Sequence, residues 1–259
     1  TRDLILTMDA LYQLSYRGIQ YYGLLYMILQ QNANLCESRL SGAIIISDMD
    51  IGLYYDPSSP HSWVTSRWLV EAMKQREIYI RWYPFSLSLL YGGGVAEQPH
   101  DQASQDRYEA HRVLRVIEAA GLGGANRGDV YTAFGYEYFV KNRAYSDEVI
   151  DDVLKELHLE RLRDAADSSA LDADLNASIR EAASLLGDRL NVPMIVFEVG
   201  QKRIGYFGPI LNAVPNTEAS VRLWDSIATL STTAEFYELV RPLPKPADNT
   251  PIAGHSQQS

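Results

Sequence analysis

Asp56-Pro57-Ser58-Ser59-Pro60-His61-Ser62-Trp63 is the stretch on which the fold turns. Just before it, Ile51 to Tyr55 is a short apolar run stopped by Asp56 and Pro57, the pattern of a buried strand entering a turn. Just after it, Val64, Trp68, Leu69, Ala72 and Met73 share one face of a helix predicted over 63–76. Pro60 suits a first helical position, and Ser59 ahead of it suits an N-cap. Glu77 to Tyr83 reads as a second strand before Pro84. Strand, helix and strand over about 35 residues make the βαβ unit of an α/β fold.

The middle of the chain reads as helix. Tyr108 to Ala120 stops at Gly121, Asp129 to Asn142 is rich in aromatics, and Ser146 caps a helix carrying Ile150, Val153, Leu154 and Leu157. Leu175, Ile179, Ala182 and Leu186 continue the period as far as Gly187. Strands return at Met194 to Val199 and Arg203 to Phe207, flanking Gly200 as a hairpin does, and a last helix covers Thr217 to Leu230. Val192-Pro193 stands at the head of the hairpin, where a proline is tolerated. The organisation is therefore an N-terminal helical extension (1–46), a first half (47–85), a helical insertion (86–188), a ββα second half (189–242) and a Pro-, Ser- and Gln-rich flexible tail (243–259). In the extension, Leu4, Met8, Leu11, Ile19, Tyr22, Tyr26 and Leu29 recur at helical steps, broken near Gly18 and Gly23. That face is expected to pack on the main domain or on a second subunit of a homodimer.

Composition bounds the function. The 259 residues, 46% of them hydrophobic, suffice for a sizeable core. The 33 acidic residues against 23 basic ones give a net charge of −10, which argues against a nucleic-acid partner. Cys36 is the one cysteine, so no intrachain disulfide and no multi-cysteine zinc site can form, as fits a reducing compartment. The longest apolar run, 21–29, falls short of the roughly 20 residues that span a bilayer. A soluble cytoplasmic protein with no membrane partner is expected, its start at Thr1 processed or truncated. No metal site is expected: the five histidines have no ligand spacing, and Asp48-Met49-Asp50 reads as a solvated turn. Gly92-Gly93-Gly94 lacks the Lys-Ser/Thr of a phosphate loop and reads as a flexible loop.

The start of the first helix is where chemistry is expected. Unpaired N–H groups and the positive end of the helix dipole meet there and stabilise an anion such as a thiolate. The motifs around it carry a resemblance: Tyr55-Asp56-Pro57, Pro60, Trp63, Thr65-Ser66-Arg67-Trp68, Val192-Pro193, Phe207-Gly208-Pro209, Pro215, Leu223-Trp224-Asp225 and Phe236-Tyr237-Glu238-Leu239. Over residues 50–241 the chain resembles the DsbA-like branch of the thioredoxin superfamily, and within it the actinobacterial mycothiol-dependent nitroreductase group. The resemblance implies a thioredoxin-like (DsbA/kappa type) α/β fold with a helical insertion between its βαβ and ββα halves.

One departure decides the chemistry. In the redox members of that branch the turn reads Cys-Pro-x-Cys, and here Ser59 and Ser62 hold both cysteine positions. A hydroxyl forms no mixed disulfide, which excludes thiol–disulfide exchange through this motif. Ser59-Pro60-His61-Ser62-Trp63 is instead similar to the Ser-Pro-x-Ser-Trp of kappa-class glutathione transferases and 2-hydroxychromene-2-carboxylate isomerases. There the first serine donates a hydrogen bond to the sulfur of a bound low-molecular-weight thiol. The resemblance thus implies mycothiol or glutathione as cofactor, held by Ser59, Pro60, Val192, Pro193, Gly208 and Pro209. Ser59, His61 and Ser62 are the expected catalytic residues, His61 assisting proton transfer near neutral pH or capping the helix. Trp63 and Arg67 are the expected substrate contacts, although Arg67 so placed more often faces solvent or pairs with an acid. Tyr131, Phe134, Tyr136, Tyr138 and Phe139 are expected to be core or to line an apolar substrate pocket.

The expected function is a thiol-cofactor-dependent cis–trans isomerase acting on an activated alkene, such as an unsaturated acyl or polyene chain, free or carrier-bound, with S-transfer close behind. Two alternatives stand beside it. One is a non-catalytic thioredoxin-fold binding module; the other is a DsbA-like oxidoreductase whose cysteines were exchanged for serine by engineering.

Overall fold

The computed structural model describes residues 48–199 and 202–242. The expected N-terminal helical extension, the tail from 243 and Gly200 lie outside the described residues. The first half is β1 (Asp48–Tyr55), α1 (Pro60–Ala72) and β2 (Glu77–Pro84), with β2 parallel to β1. Then come α2 (Leu87–Tyr91), α3 (Gln102–Leu122), α4 (Arg127–Gly135), a π-helical turn (Tyr136–Val140), α5 (Asp147–Glu156) and α6 (Asp172–Leu186), with 3-10 turns between α5 and α6. The hairpin of β3 (Met194–Val199) and β4 (Lys202–Phe207) and the helix α7 (Thr217–Ser231) complete the ββα half. Because β3 pairs antiparallel with β1, the sheet order is β2-β1-β3-β4.

Strand alternation in β1 divides the core between the two faces of the sheet. Ile51 and Leu53 join Trp68, Leu69, Phe197 and Trp224 beside α1 and α7, where Trp68 Nε1 donates to the Ser220 carbonyl at 3.1 Å. Tyr54 and Val196 pack on the other side with Leu114, Phe134 and Ile150 of the insertion. Gly52 lies on that side too: a Cβ there would come within 2.9 Å of the Tyr83 ring, which needs the space to stack on Tyr54 at 4.7 Å.

Four expectations are corrected. Asp48 to Asp50 form the first residues of β1 rather than a turn, because they pair in register with Glu77 to Tyr79 of β2; Asp50 itself is exposed. α3 begins six residues before Tyr108, at Gln102, where Asp101 and Ser104 cap each other reciprocally. The helix expected over 129–142 is two pieces, α4 and the π-helical turn. Finally, α1 runs from Pro60 and stops at Ala72 rather than at Arg76.

Candidate active site

The turn from β1 into α1 is built by backbone and side-chain hydrogen bonds that the sequence supplies locally. Ser59 adopts the extended geometry of an N-cap (φ −85°, ψ 111°), and its Oγ accepts from the Ser62 N–H at 3.1 Å. Pro60 takes the first helical position, where its missing N–H costs nothing. Ser59 is 7% exposed, and its hydroxyl donates to no acceptor among the described residues. Ser62 is fully buried, and its Oγ also lacks a partner there, as does Nδ1 of the half-buried His61. Buried polar atoms are nearly always hydrogen-bonded, so orphans gathered in one turn point to a group that binds it.

Beneath the turn lies Asp56, fully buried and read from the sequence as a turn and motif residue rather than as part of the site. Its Oδ1 accepts from the Ser58 N–H (2.7 Å) and hydroxyl (2.5 Å), and its Oδ2 from the Leu87 N–H (2.7 Å). Burial pushes its pKa up to about 6, against the pull of these donors.

The X-Pro segment approaches from β3. β3 begins at Met194, opposite Tyr54, so Val192-Pro193 enters the sheet immediately before that pair, at the end of β1 from which the turn departs. Val192-Pro193 and Gly208-Pro209 are both cis. The Gly208 N–H donates to the Pro193 carbonyl (2.8 Å) and Thr65 Oγ1 to the Pro209 carbonyl (2.7 Å), so the second half is tied to α1. The Val192 N–H is taken by Asn191 Oδ1 at 2.8 Å.

Along α1, Trp63 stacks on Phe139 (centroids 5.5 Å apart, 17°) and meets Tyr131 edge-on. Gly135 makes room for it, since a Cβ there would lie 2.3 Å from the indole. Arg67 follows one turn later. It is half-buried, and no acid is in ion-pair contact with it among the described residues, while the charge of Asp129 acts on it through space. Its guanidinium lies 4.5 Å from the Trp63 ring centre.

A cleft of about 450 Å³ opens at the turn, lined by Ser58, Pro60, Asp106, Tyr138, Phe139, Asn142 and Ala144. Its far wall is the π-helical turn and Asn142, held at φ 56°. Burial and the neighbouring Asp106 carboxylate push the Tyr138 hydroxyl up to about 12, so it stays protonated. The aromatic segment is therefore divided: Tyr131 and Phe134 are core, Tyr138 and Phe139 line the cleft, and Tyr136 is exposed. Asp106 and Asn142 were not foreseen; a polar residue within a helix or loop carries no local signal of which cleft it faces.

A second constellation is chemically inert. Ser86 Oγ lies 3.0 Å from His111 Nδ1, and His111 Nε2 lies 3.2 Å from Asp172. The order matches a nucleophilic triad, but Ser86 and His111 are fully buried, and Ser86 Oγ caps α2 by accepting from the Leu89 N–H. Burial first, then Arg115, pushes His111 down to about 4 and keeps it neutral.

Comparison with known proteins bears on the fold and the family. The cytosolic disulfide reductase DsbM from Pseudomonas aeruginosa is similar over 70% of this chain and 99% of its own, at 14% identity and a TM-score of 0.50, which shows the DsbA-like thioredoxin fold. A 2-hydroxychromene-2-carboxylate isomerase (14% identity, 71% and 97% covered, TM-score 0.48) and a probable DsbA oxidoreductase from Streptomyces coelicolor (15%, 75% and 94%, 0.46) are further similar structures. Residues 58–241, which carry the whole of α1 and both X-Pro turns, match the Rv2466c-like family, described as mycothiol-dependent nitroreductase Rv2466c, and the chain belongs to that family.

Proposed function

We propose that this protein is a thiol-cofactor-dependent cis–trans isomerase of activated alkenes, with S-transfer to the same electrophiles as its near alternative. The observation that carries the reading is the Ser59 hydroxyl, which receives the Ser62 N–H and has no acceptor for its own proton among the described residues. With no cysteine at positions 59 and 62, sulfur chemistry at this turn needs an external thiol, and the family is mycothiol-dependent. The unpartnered Ser62 hydroxyl and His61 Nδ1 fit the same group. A bound thiol supplies the nucleophile: addition to an electrophilic alkene leaves a single bond that rotates, and expulsion of the thiol returns the other isomer.

The chain's own part is electrostatic and steric. Ser59 and the N-terminus of α1 hold the sulfur in its anionic form, as neutral donors do at other helix starts. Val192 and Pro193 border the turn on one side, and Gly208-Pro209 braces it through Thr65. Trp63 and Phe139 offer the apolar surface against which an unsaturated substrate lies.

The test is conversion of cis-β-benzoylacrylamide to its trans isomer, followed by chromatography with mycothiol, with glutathione and with no thiol. Acceleration by enzyme and thiol together, above either alone, is expected. An enzymatic rate independent of thiol overturns the reading.

A further inference from the structure

Arg67 is a half-buried cation that no carboxylate touches among the described residues, while the charge of Asp129 acts on it through space. The comparably sheltered Arg107, Arg115 and Arg127 each meet a carboxylate, those of Glu97, Asp172 and Glu118. Arg67 has none among the described residues, and burial pushes its pKa down to about 10, which leaves it charged at neutral pH. Sheltering a cation with no carboxylate in hydrogen-bond contact is costly, and such a group is suited to take a carboxylate from outside the chain.

The guanidinium is also held still. Its Nε donates to Ser66 Oγ (3.2 Å) and its Nη2 to Thr132 Oγ1 (2.9 Å). Both hydroxyls are themselves fixed, Ser66 donating to the Trp63 carbonyl at 2.7 Å and Thr132 to the Gly128 carbonyl at 2.6 Å. The Trp63 ring supports the flat face of the group. Its Nη1 hydrogens meet no acceptor among the described residues, and a guanidinium edge so presented takes a carboxylate through two parallel hydrogen bonds. The cation sits against the Trp63 ring, which in turn stacks on Phe139 of the cleft.

We propose that Arg67 is the anchor for a carboxylate on the substrate, so that the electrophiles this site prefers are short unsaturated acids bearing the carboxylate a few bonds from the reacting carbon. The proposal rests on the isomerase reading for the word substrate, but the anion site is tested without turnover.

Calorimetry on the full chain, with no thiol present, compares β-benzoylpropionate with β-benzoylpropionamide. These are unreactive, saturated probes that differ only in charge. The wild-type protein is expected to prefer the acid by about tenfold or more. Arg67→Met is expected to bring that ratio to about one, and Arg67→Lys, which keeps the charge and loses the fork, to an intermediate value. Circular dichroism checks that each variant is folded, and the lysine variant alone decides the case if the methionine variant is not. Equal binding of acid and amide by the wild type overturns the anion site, as does a folded Arg67→Met that keeps the preference. Weaker glutathione binding in Arg67→Met with the acid preference intact assigns the cation to the cofactor and also overturns it. An acid preference without any thiol-dependent isomerisation of the uncharged cis-β-benzoylacrylamide overturns the isomerase reading and leaves the anion site standing.

Discussion

Replacing Ser59 by alanine removes two hydrogen bonds of different kinds, which can be measured separately. The first is structural: the Ser62 N–H loses its acceptor at 3.1 Å, an N-cap loss of about 1 kcal/mol. The second is functional. The Ser59 O–H is free for a bound sulfur, and a hydrogen bond to a charged acceptor is worth about 1.5–3 kcal/mol, or about 1–2 pKa units. A free thiol titrates near about 8.5, and the dipole of α1 contributes about 0.3–1 kcal/mol more in favour of the anion. Together these bring a bound thiol to about 6–7, so that much of it is ionised at neutral pH. Ser59→Ala is expected to return it to about 8 and to cut the ionised fraction at neutral pH roughly tenfold. Titrating mycothiol with excess protein and following the thiolate's ultraviolet absorbance against pH measures the second effect; urea unfolding measures the first. Ser59→Thr keeps hydroxyl and cap and should restore both. An unchanged thiol pKa in Ser59→Ala, beside the expected loss of stability, would leave Ser59 as a helix cap and nothing more.

Other outcomes follow from the same geometry. Ser59→Cys combined with Ser62→Cys puts two thiols one turn apart at the start of α1, and mild oxidation should lower the protein's mass by two hydrogens, a reaction the wild-type turn cannot perform. Gly135→Ala forces a methyl to 2.3 Å from the Trp63 ring and should cost about 1–3 kcal/mol while shifting tryptophan fluorescence; an unchanged emission spectrum argues against the packing described. Asp56 and His111 should tilt stability in opposite directions with pH. The folded pKa of Asp56 lies above its unfolded value, so its contribution is full below about 3.8 and is lost as pH rises to about 6. The folded pKa of His111 lies below its own, so its contribution is full above about 6.5 and is lost as pH falls to about 4. Each amounts to about 3 kcal/mol, so urea midpoints of Asp56→Asn and His111→Gln should slope in opposite senses between these limits; parallel slopes would refute the assignment.

The frame of the site was legible where the physics is local. Ser59 and Pro60 declare a helix start by their own backbone preferences, and Ile51 to Tyr55 declare a buried strand by lacking polar residues. What the sequence hid depends on distance. Asp56 before a proline reads as a turn residue, and nothing local shows that the Leu87 N–H, in another element, will turn it into a buried acceptor. His111 finds Asp172 across 61 residues, and Asp106 and Asn142 reach the cleft only because the insertion folds over the turn. The π-helical turn has no compositional mark either, because its residues suit an α-helix equally well. Arg67 was half legible: its spacing of four from Trp63 allows stacking, whereas the missing acid is a property of the folded neighbourhood.

Exchanging cysteine for serine changes what the turn must do as well as what it can do. A cysteine sulfur is held by its own bonds, whereas a cofactor sulfur is held by binding, and the backbone beside the turn has little binding capacity left. The Val192 N–H, the Gly208 N–H and the Pro209 carbonyl are already engaged within the chain. Affinity for the rest of the thiol therefore falls to the cleft, whose polar wall is Asp106, Tyr138 and Asn142. Asp106 has no cation paired with it among the described residues, and Asp56, ionised above about 6, adds a second negative charge beneath the turn. Glutathione brings two carboxylates and one ammonium; mycothiol brings hydroxyls. At an effective dielectric between surface and interior, each like-charge pair a few ångströms apart costs about 1 kcal/mol or more. Mycothiol should therefore bind several-fold more tightly than glutathione, and added salt should narrow the gap by screening the half-buried Asp106. Asp106→Asn should narrow it at low salt. A preference indifferent to both salt and Asp106 would mean that shape, and not charge, selects the thiol.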